Sequence, residues 1–229
     1  MNTPIIPSFY FSYKFSDYED IIKKYDVEKV KFTKDSILTT PGEINNTAYY
    51  INSGILLLSL AHEKGLEKSL ALFGQGSIFP IGLTNHTYKM DFEIILRAFS
   101  DLDVYKFSYL TLRKMAHENH DLAMNLLEQD CDFVSYLFHD SVSQAFNDCI
   151  TRLCDVLYLY LVSTNVENNV LELSQSFLTN IVGASRAQIE RALKELRLKK
   201  VLETSRNKIT ILNVDRLLEY CSENVQNFY

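Results

Sequence analysis

The chain has 229 residues and a formal net charge of −6, and 47% of its residues are hydrophobic. This balance predicts a soluble globular protein that buries a substantial core in one large or two modest domains. No apolar run approaches the roughly 20 residues that span a bilayer, and the N-terminus lacks the basic start and apolar stretch of a secretory signal. Four cysteines without CxxC spacing indicate small buried thiols, so we expect a cytoplasmic protein.

The first half of the chain is dominated by short strands. Residues 1–15 alternate aromatic and polar groups and are predicted to form an arm packed on the body, followed by a short helix within residues 17–25. From Val27 to Phe107, β-branched and aromatic runs alternate with turn signals, which favours a closed or rolled antiparallel barrel. The predicted strands are VKF, SILTT, AYYINSGILLLSLA, SLALF, EIILRAF and DVYKFS, and the turns lie at Pro41-Gly42, Ser53-Gly54, Lys64-Gly65, Gly74-Gln75-Gly76 and Gly82.

A long helix is predicted to begin near Asp121, after a shorter helix at residues 108–119. One apolar stripe has the alternating spacing of a coiled-coil seam. It consists of Leu127, Cys131, Val134, Phe138, Ser141 and Ala145. A second stripe beside it contains Leu122, Leu126, Phe133 and Leu137. A helix with two apolar stripes needs two partners, which we expect to be its own barrel and the same helix of a second subunit. The alternative is a helix buried in a monomeric core.

The last third of the chain reads as a helix pair followed by a hairpin. Asp148 is the expected N-cap of a helix over residues 149–162, with a hinge at residues 143–147. Ser174 caps the next helix, which ends at the turn Gly183-Ala184. Ser185 and Gln188 form the capping box of the following helix. The segment VLETSRNKITIL predicts a hairpin with Arg206-Asn207 at its tip, and a final helix is expected at residues 214–223.

Basic residues are concentrated in this helix pair and hairpin. Residues 170–212 contain eight basic and four acidic side chains, a net charge of +4 that leaves about −10 on the rest of the chain. Arg186, Gln188, Arg191 and Lys194 are predicted to point outward from the second helix. A glycine-turned helix pair with a basic outer face is typical of proteins that insert a helix into the DNA major groove. A merely solvated helix face is the alternative.

The order of these elements, with the segments GASRAQIERALKEL and FNDCITRL and the glycines Gly42, Gly54 and Gly76, resembles the family of the cyclic-AMP receptor protein and the fumarate–nitrate reduction regulator (CRP/FNR). The wing and tail, RNKITILNVDRLLEY, are most similar to the halorespiration regulators of that family, which sense chlorinated phenols. The resemblance implies an α+β protein. Its parts would be an N-terminal β-roll sensory domain at residues 1–120, a dimerisation helix and hinge at 121–147, and a C-terminal winged helix-turn-helix domain at 148–229.

The resemblance also implies how the chain reads DNA. Arg186 and Arg191 match two arginine positions of the family, and arginine pairs with guanine O6 and N7. The base-reading glutamate between them is Ala187 here, whose methyl group packs against thymine. We therefore expect a palindrome shifted from TGTGA-type half-sites toward A and T. Gln188 either pairs with adenine or is occupied by its own cap. The predicted contact set is Ser185, Arg186, Ala187, Gln188, Arg191, Lys194 and Arg206, with Lys199 and Lys200 also placed on phosphates.

Several cofactors of this family are disfavoured by the residues present. Phe79-Pro80-Ile81-Gly82 stands where cyclic-nucleotide binders carry a glycine–glutamate pair, and Phe92 and Glu93 stand in place of the phosphate-binding arginine and its hydroxyl neighbour. A carboxylate there repels a phosphate, so cyclic AMP is disfavoured. An iron–sulfur cluster needs about four thiolates, and no cysteine precedes Cys131. His62 and His86, the barrel candidates for a haem ligand, are expected to be turn or surface residues. His117 and His120 lack a third metal ligand, and no metal site is predicted.

What remains is an apolar, tyrosine-lined pocket suited to a small aromatic effector. Its predicted lining is Tyr49, Tyr50, Tyr88, Phe92, Leu137 and Phe138. The alternative is a filled core and a constitutive protein without an effector.

Three classes of function stay in view. A DNA-binding transcription regulator, not an enzyme, explains the helix pair, the charge, the seam and the barrel together. Its partners would be double-stranded DNA, a second copy of itself, RNA polymerase and a small-molecule effector. A cupin-like metal enzyme would need clustered ligands, which His62, His86 and the nearby glutamates do not supply by spacing. A protein-interaction adaptor would not need Arg186 or Arg191.

Overall fold

The computed structural model describes residues 8–39, 46–80, 92–164 and 166–227 and divides them into two compact units. One unit contains residues 10–134, and the other contains Ser8, Phe9 and residues 135–227. The predictions that involve Pro41, Gly42, Gly82, His86 and Tyr88 lie outside the described residues.

The first unit is a β-roll with a one-turn helix near its start and two helices after its last strand. Its elements are β1 (Tyr10–Phe11), α1 (Glu19–Ile22), β2 (Glu28–Phe32), β3 (Thr47–Ser53), β4 (Leu56–His62), β5 (Glu67–Phe73), β6 (Ile78–Phe79), β7 (Phe92–Ala98), β8 (Leu102–Ser108), α2 (Tyr109–Glu118) and the start of α3 (His120–Phe146). In the described residues the sheet orders are β1-β5-β4-β7 and β2-β8-β3-β6. All pairings are antiparallel except β1 with β5, which confirms the predicted antiparallel roll.

The core of the roll joins its sheets to its helices. Tyr50 of β3, Phe107 of β8 and Met115 of α2 are buried in one cluster with Leu122 and Leu126 of α3. Burying large apolar side chains at about 25 cal/mol per Å² is the main stabilising contribution. The predicted stripe that contains Leu122 and Leu126 therefore completes the hydrophobic core of the roll.

The predicted turn at Ser53-Gly54 connects β3 and β4, and it requires glycine. Gly54 has a φ of +91°, and a Cβ built on it would lie 2.1 Å from the backbone oxygen of Asp101. A side chain would therefore meet both backbone strain and a direct clash. The long run AYYINSGILLLSLA is divided at this turn into β3 and β4.

The predicted strands differ from the observed ones in a few places. SILTT does not form a strand in the described residues 36–39; Ile37 makes only an isolated bridge to Arg97. The two-residue strands β1 and β6 were not predicted, since so short a stretch has no visible alternation. The predicted helix at 17–25 is a 3₁₀ turn at Ser16–Tyr18 followed by the single turn of α1.

The second unit consists of the end of α3 and a compact helical domain with a small sheet. Its further elements are α4 (Cys149–Thr164), β9 (Val170–Leu171), α5 (Gln175–Val182), α6 (Arg186–Leu198), β10 (Leu202–Ser205), β11 (Lys208–Ile211), α7 (Val214–Glu219) and α8 (Glu223–Gln226). Strand order is β10-β11-β9, with β11 antiparallel to both neighbours. The hairpin is as predicted, but β9 adds a third strand, and the predicted final helix is two short ones.

Helix α4 is the centre of the second unit. Nine consecutive residues, 153–161, are buried. The helix packs against α5, α6 and α7, so it meets protein on every side. Asp148 caps it as predicted, since its Oδ1 accepts the N–H of Thr151 at 2.9 Å.

Helix α3 belongs to both units, which differs from the predicted separate segment at residues 121–147. The division falls between Val134 and Ser135. The first half of the helix is part of the roll core, whereas residues near its end bond to the C-terminal helices. The predicted hinge at residues 143–147 is also shorter than expected, since α3 stays helical to Phe146 and only Asn147 and Asp148 separate it from α4.

The four cysteines are free thiols with different environments. Cys154 and Cys221 are buried, and burial raises the pKa of both thiols, so they stay protonated. Cys149 is half-buried. The prediction of a buried thiol is wrong for Cys131, which is exposed on α3.

Asp155 is an ionisable group inside the apolar surroundings of α4. It is 3% exposed, and its Oδ1 accepts the backbone N–H of Ser222 at 2.8 Å. Within the described part of the chain, no cationic side chain lies within 4.0 Å of it. Burial raises the pKa of its carboxyl group above the usual range, against smaller opposing contributions from Ser222 and His139.

We predict that Asp155→Asn stabilises the protein at neutral pH. Asparagine keeps the oxygen that accepts from Ser222 but removes a buried charge. In the unfolded chain this carboxyl group loses its proton at about pH 3.9, whereas in the folded protein it keeps the proton to a higher pH. The free energy of unfolding of the wild type therefore falls as the pH rises from about 3.9 through the pKa of the folded state. The melting temperature of Asp155→Asn should therefore exceed that of the wild type at pH 7.5, with a smaller difference at pH 5.

The matched control is Asp35→Asn, which changes an exposed carboxylate. Its melting temperature should follow that of the wild type at both pH values. An Asp155→Asn protein that is less stable than the wild type at both would contradict the prediction.

Candidate nucleic-acid interface

The helix pair α5–α6 is joined by a tight turn, as predicted. Gly183 has a left-handed φ of +65°, and its N–H donates to Thr179 O at 3.1 Å, which closes α5. The predicted apolar faces are confirmed. They consist of Phe177, Leu178, Ile181 and Val182 on α5 and Ile189, Leu193 and Leu196 on α6, all buried, with Ala192 as an addition.

Both helices begin with the predicted caps. Ser174 Oγ accepts the N–H of Phe177 at 3.1 Å. Ser185 Oγ accepts the N–H of Gln188 at 3.3 Å, while Gln188 Oε1 accepts the N–H of Ser185 at 2.9 Å. Such a cap stabilises a helix by about 1 kcal/mol, so the first turn of α6 is well defined.

The capping box also decides what Gln188 can offer to DNA. Its Oε1 additionally accepts the Ser185 hydroxyl at 2.8 Å. Pairing with both N6 and N7 of adenine needs the amide oxygen and the amide nitrogen together. Because its oxygen already accepts two hydrogen bonds, Gln188 can offer only its amide nitrogen to a base. Of the two roles expected for Gln188, pairing with adenine and capping the helix, the structure shows the capping role.

The remaining predicted DNA-contacting side chains of α6 are exposed. Arg186, Ala187, Arg191 and Lys194 all face solvent, and among the residues described none of the three basic groups forms an ion pair or hydrogen bond. Glu190, the acidic residue between them, is hydrogen-bonded by Gln175 of α5. Gln175 thus holds the carboxylate that directly precedes Arg191, a role that no local sequence pattern indicates.

The hairpin β10–β11 forms the wing and carries Arg206 at its exposed tip, beside Asn207 with a φ of 56°. Two other basic residues are engaged within the domain. Lys208 pairs with Glu172 at 2.9 Å, and Arg197 donates to Thr204 Oγ1 at 2.9 Å. Lys199 and Lys200 are exposed, without an ion pair in the described ranges. The domain therefore keeps a cluster of uncompensated cations, suited to phosphate contacts.

A second candidate surface is the exposed face of α3. All six predicted seam residues are exposed, with Leu127 at 56%, Val134 at 46% and Phe138 at 70%. The sequence interpretation missed Met124, Val142 and Phe146, which are also exposed on this helix. Exposed large apolar side chains in a continuous stripe mark an interaction surface.

The six residues predicted to line an effector pocket do not form one described cavity. Tyr49 and Tyr50 are both buried, but successive residues of a strand point to opposite faces. Tyr50 lies in the roll core, and Tyr49 packs edge-on against Phe32. The prediction that both line one pocket is therefore wrong. Burial raises the pKa of Tyr50 to about 12.

For the other four residues the pocket stays a prediction. Tyr88 lies outside the described residues, as does the side chain of Phe92. Leu137 is half-buried and Phe138 is exposed, both in the second unit.

The sites considered for metals have ordinary surroundings. His62 is the last residue of β4, and its Nδ1 accepts the N–H of Lys64 in the following turn at 3.1 Å. His117 and His120 are exposed. Within the described ranges, no group of three or more His, Cys, Asp or Glu side chains is placed to hold a metal ion. No helix in the same ranges is long and apolar enough to cross a membrane.

Comparison with known proteins identifies the C-terminal domain and the overall architecture. Residues 151–220 match the Crp-like helix-turn-helix domain. The chain is 23% identical to the global nitrogen regulator of Nostoc sp. (strain PCC 7120) over 185 residues, which is 79% of this chain and 83% of that protein.

Solved structures share the architecture. CprK complexed with OCPA superposes with a TM-score of 0.69 and 20% identity, over 96% of this chain and 99% of that one. The c-di-GMP responsive global regulator CLP of Xanthomonas campestris superposes with a TM-score of 0.73 and 20% identity, over 85% and 97%. These similarities establish the fold.

Proposed function

We propose that the chain is a transcription regulator of the CRP/FNR family. It acts as a cytoplasmic homodimer that reads a palindromic operator through α6 and contacts RNA polymerase at the promoter. The observation that carries this proposal is the start of α6, where Arg186 and Arg191 are exposed and unpaired among the described residues. Regulation of transcription, rather than catalysis, is the activity of this family.

A few side chains of α6 recognise the DNA bases. Arg186 and Arg191 are suited to bidentate contacts with guanine, each worth about 1–3 kcal/mol of discrimination. Ala187, between them, offers only a methyl group, which favours thymine. Lys194, Lys199, Lys200 and Arg206 bind phosphates and supply affinity without sequence preference.

We predict that binding selected from random duplexes yields a palindrome richer in A and T than TGTGA half-sites. Ala187→Glu should shift the preference toward TGTGA, because a carboxylate accepts a hydrogen bond from the cytosine amino group. As a control, Lys194→Ala should keep the selected sequence. It should reduce the slope of the logarithm of the binding constant against the logarithm of the salt concentration by about 1, since one phosphate contact is lost. A wild-type preference for TGTGA contradicts this assignment.

Dimerisation through α3 is the second part of the proposal. The stripe from Met124 to Phe146 is exposed in the single chain, and its spacing is that of a coiled-coil seam. Two such stripes cover each other around a two-fold axis, which would place two α6 helices about 34 Å apart for successive major grooves.

We predict that Phe138→Glu converts the dimer to a monomer, since it places a charge in the apolar seam. Sedimentation velocity at micromolar concentration measures the change, and operator affinity should fall with it. Leu110→Glu is the control, because Leu110 of α2 is 76% exposed but lies off the stripe. A Phe138→Glu protein that sediments like the wild-type dimer would place the interface elsewhere.

Control by a small, non-nucleotide effector in the roll is the third part. Arg97 of β7 forms an ion pair with Glu67, with 3.2 Å between Nη2 and Oε2. Glu93 of the same strand is exposed. These residues do not favour a cyclic phosphate. The OCPA complex of CprK supports a small organic effector by analogy. A constitutive regulator is the alternative.

We predict that a thermal-shift screen finds stabilisation by an aromatic acid or a phenol, since a ligand that binds only the folded state raises the melting temperature. Cyclic AMP, c-di-GMP and haem serve as comparisons at equal concentration. Stabilisation by a nucleotide alone contradicts the effector class, and no stabilisation by any ligand supports the constitutive alternative.

A further inference from the structure

One backbone carbonyl at the end of α5 accepts hydrogen bonds from two other helices. Gln144 Nε2, near the end of α3, donates to Val182 O at 3.1 Å. Arg152 Nε, in the first turns of α4, donates to the same oxygen at 3.1 Å. Val182 directly precedes the Gly183 turn that leads into α6. We refer to Gln144, Arg152 and the Val182 carbonyl as the Val182 clamp.

The two donors of the clamp are themselves held in place. Arg152 Nη1 donates to Asn147 O at 2.7 Å, so the guanidinium also ties down the short connection between α3 and α4. The second hydrogen of Gln144 Nε2 goes to Asp140 Oδ1, one turn earlier on α3, at 3.3 Å. Both side chains therefore have a defined direction before they reach Val182.

The Gly183 turn is shaped to admit Gln144. A Cβ on Gly183 would lie 2.8 Å from Gln144 Oε1. A larger residue at this position would push the amide away from the carbonyl, in addition to the strain of its positive φ. The glycine thus leaves room for the clamp as well as turning the chain.

The clamp is not needed to end α5. The last carbonyls of a helix lack partners within the helix, and a cation there is favourable because of the helix dipole. Yet α5 is already closed by the bonds from Gly183 and Ala184 to Thr179 O. The hydrogen bonds from Gln144 and Arg152 instead fix the position of the Gly183 turn relative to α3 and α4.

We propose that Gln144 and Arg152 are positioning residues that set the angle of α6 relative to the end of α3, and thereby fix the operator spacing that the dimer accepts. This rests on the proposed function, because spacing has meaning only for a dimer that reads two half-sites. A rigid connection penalises a palindrome with a wrong centre length, while a loose one tolerates it. Base contacts within one half-site do not depend on the clamp.

The test compares the wild type with Gln144→Glu and Gln144→Leu on the selected operator. Glutamate keeps the size of the side chain and removes the donor, and leucine removes the donor without adding charge. Affinity is measured for the native palindrome, for palindromes whose centre is longer or shorter by one base pair, and for a single half-site. Gln226→Glu is the matched control. Gln226 Nε2 also donates to a backbone carbonyl, that of Cys221 at 2.7 Å, but it lies in α8 and is not part of the clamp.

Both Gln144 variants should lower the preference for native over altered spacing by about tenfold, which corresponds to one net hydrogen bond lost in each subunit. Their affinity for a single half-site should stay within about twofold of the wild type, and Gln226→Glu should keep the wild-type preference. Arg152→Lys, which retains the charge but loses the planar fork, should move in the same direction.

Two results overturn the inference. An unchanged spacing preference in both Gln144 variants means that the clamp does not set the angle. An equal loss on the half-site and on all palindromes means that Gln144 only stabilises the domain, which thermal unfolding would show as well. If the wild type binds a half-site as tightly as a palindrome, the dimeric reader itself is wrong, and that outcome is visible before any variant is made.

Discussion

The structure depends on the two apolar faces of α3. One face, with Leu122 and Leu126, is buried in the core of the roll, so the helix cannot leave the N-terminal unit without exposing that core. The other face, with Leu127, Val134 and Phe138, has no partner among the described residues of the chain. The first face supports the fold of one subunit, and the second supports its proposed pairing with another. A single helix thus links the stability of the roll to the proposed dimer.

The interface for DNA shows how local geometry limits chemistry. The capping box that defines the first turn of α6 occupies the amide oxygen of Gln188, and Gln175 holds the carboxylate of Glu190. Arg186, Arg191 and Lys194 of the same helix form no ion pair or hydrogen bond among the described residues. The net charge of the whole chain is acidic, yet the uncompensated cations gather on α6 and the wing. For DNA binding the local arrangement matters more than the total, because attraction to phosphate is screened over about 10 Å.

The parts of the fold that sequence predicted well are those encoded locally. The Ser174 cap, the Ser185–Gln188 capping box and the apolar faces of α5 and α6 follow from spacings within one or two turns, and all are present. The parts that failed depend on distant partners. Strands β1, β6 and β9 have two residues each and exist only through their neighbours, while Tyr49 and Tyr50 are separated by the alternation of β3. The clamp was missed because Gln144 and Val182 are 38 positions apart and the acceptor is a backbone oxygen, which leaves no residue pattern to find.

Ala187 and Gln188 are neighbours on the same exposed turn, but they differ in how freely evolution can change them. Replacing Gln188 removes a cap and costs stability together with any effect on recognition. The methyl group of the exposed Ala187 takes no part in the cap, so under the proposed function a substitution there changes recognition without removing a hydrogen bond that supports the fold. Under the proposed function, operator specificity can therefore change through position 187 alone, with stability acting as a constraint on the adjacent residue.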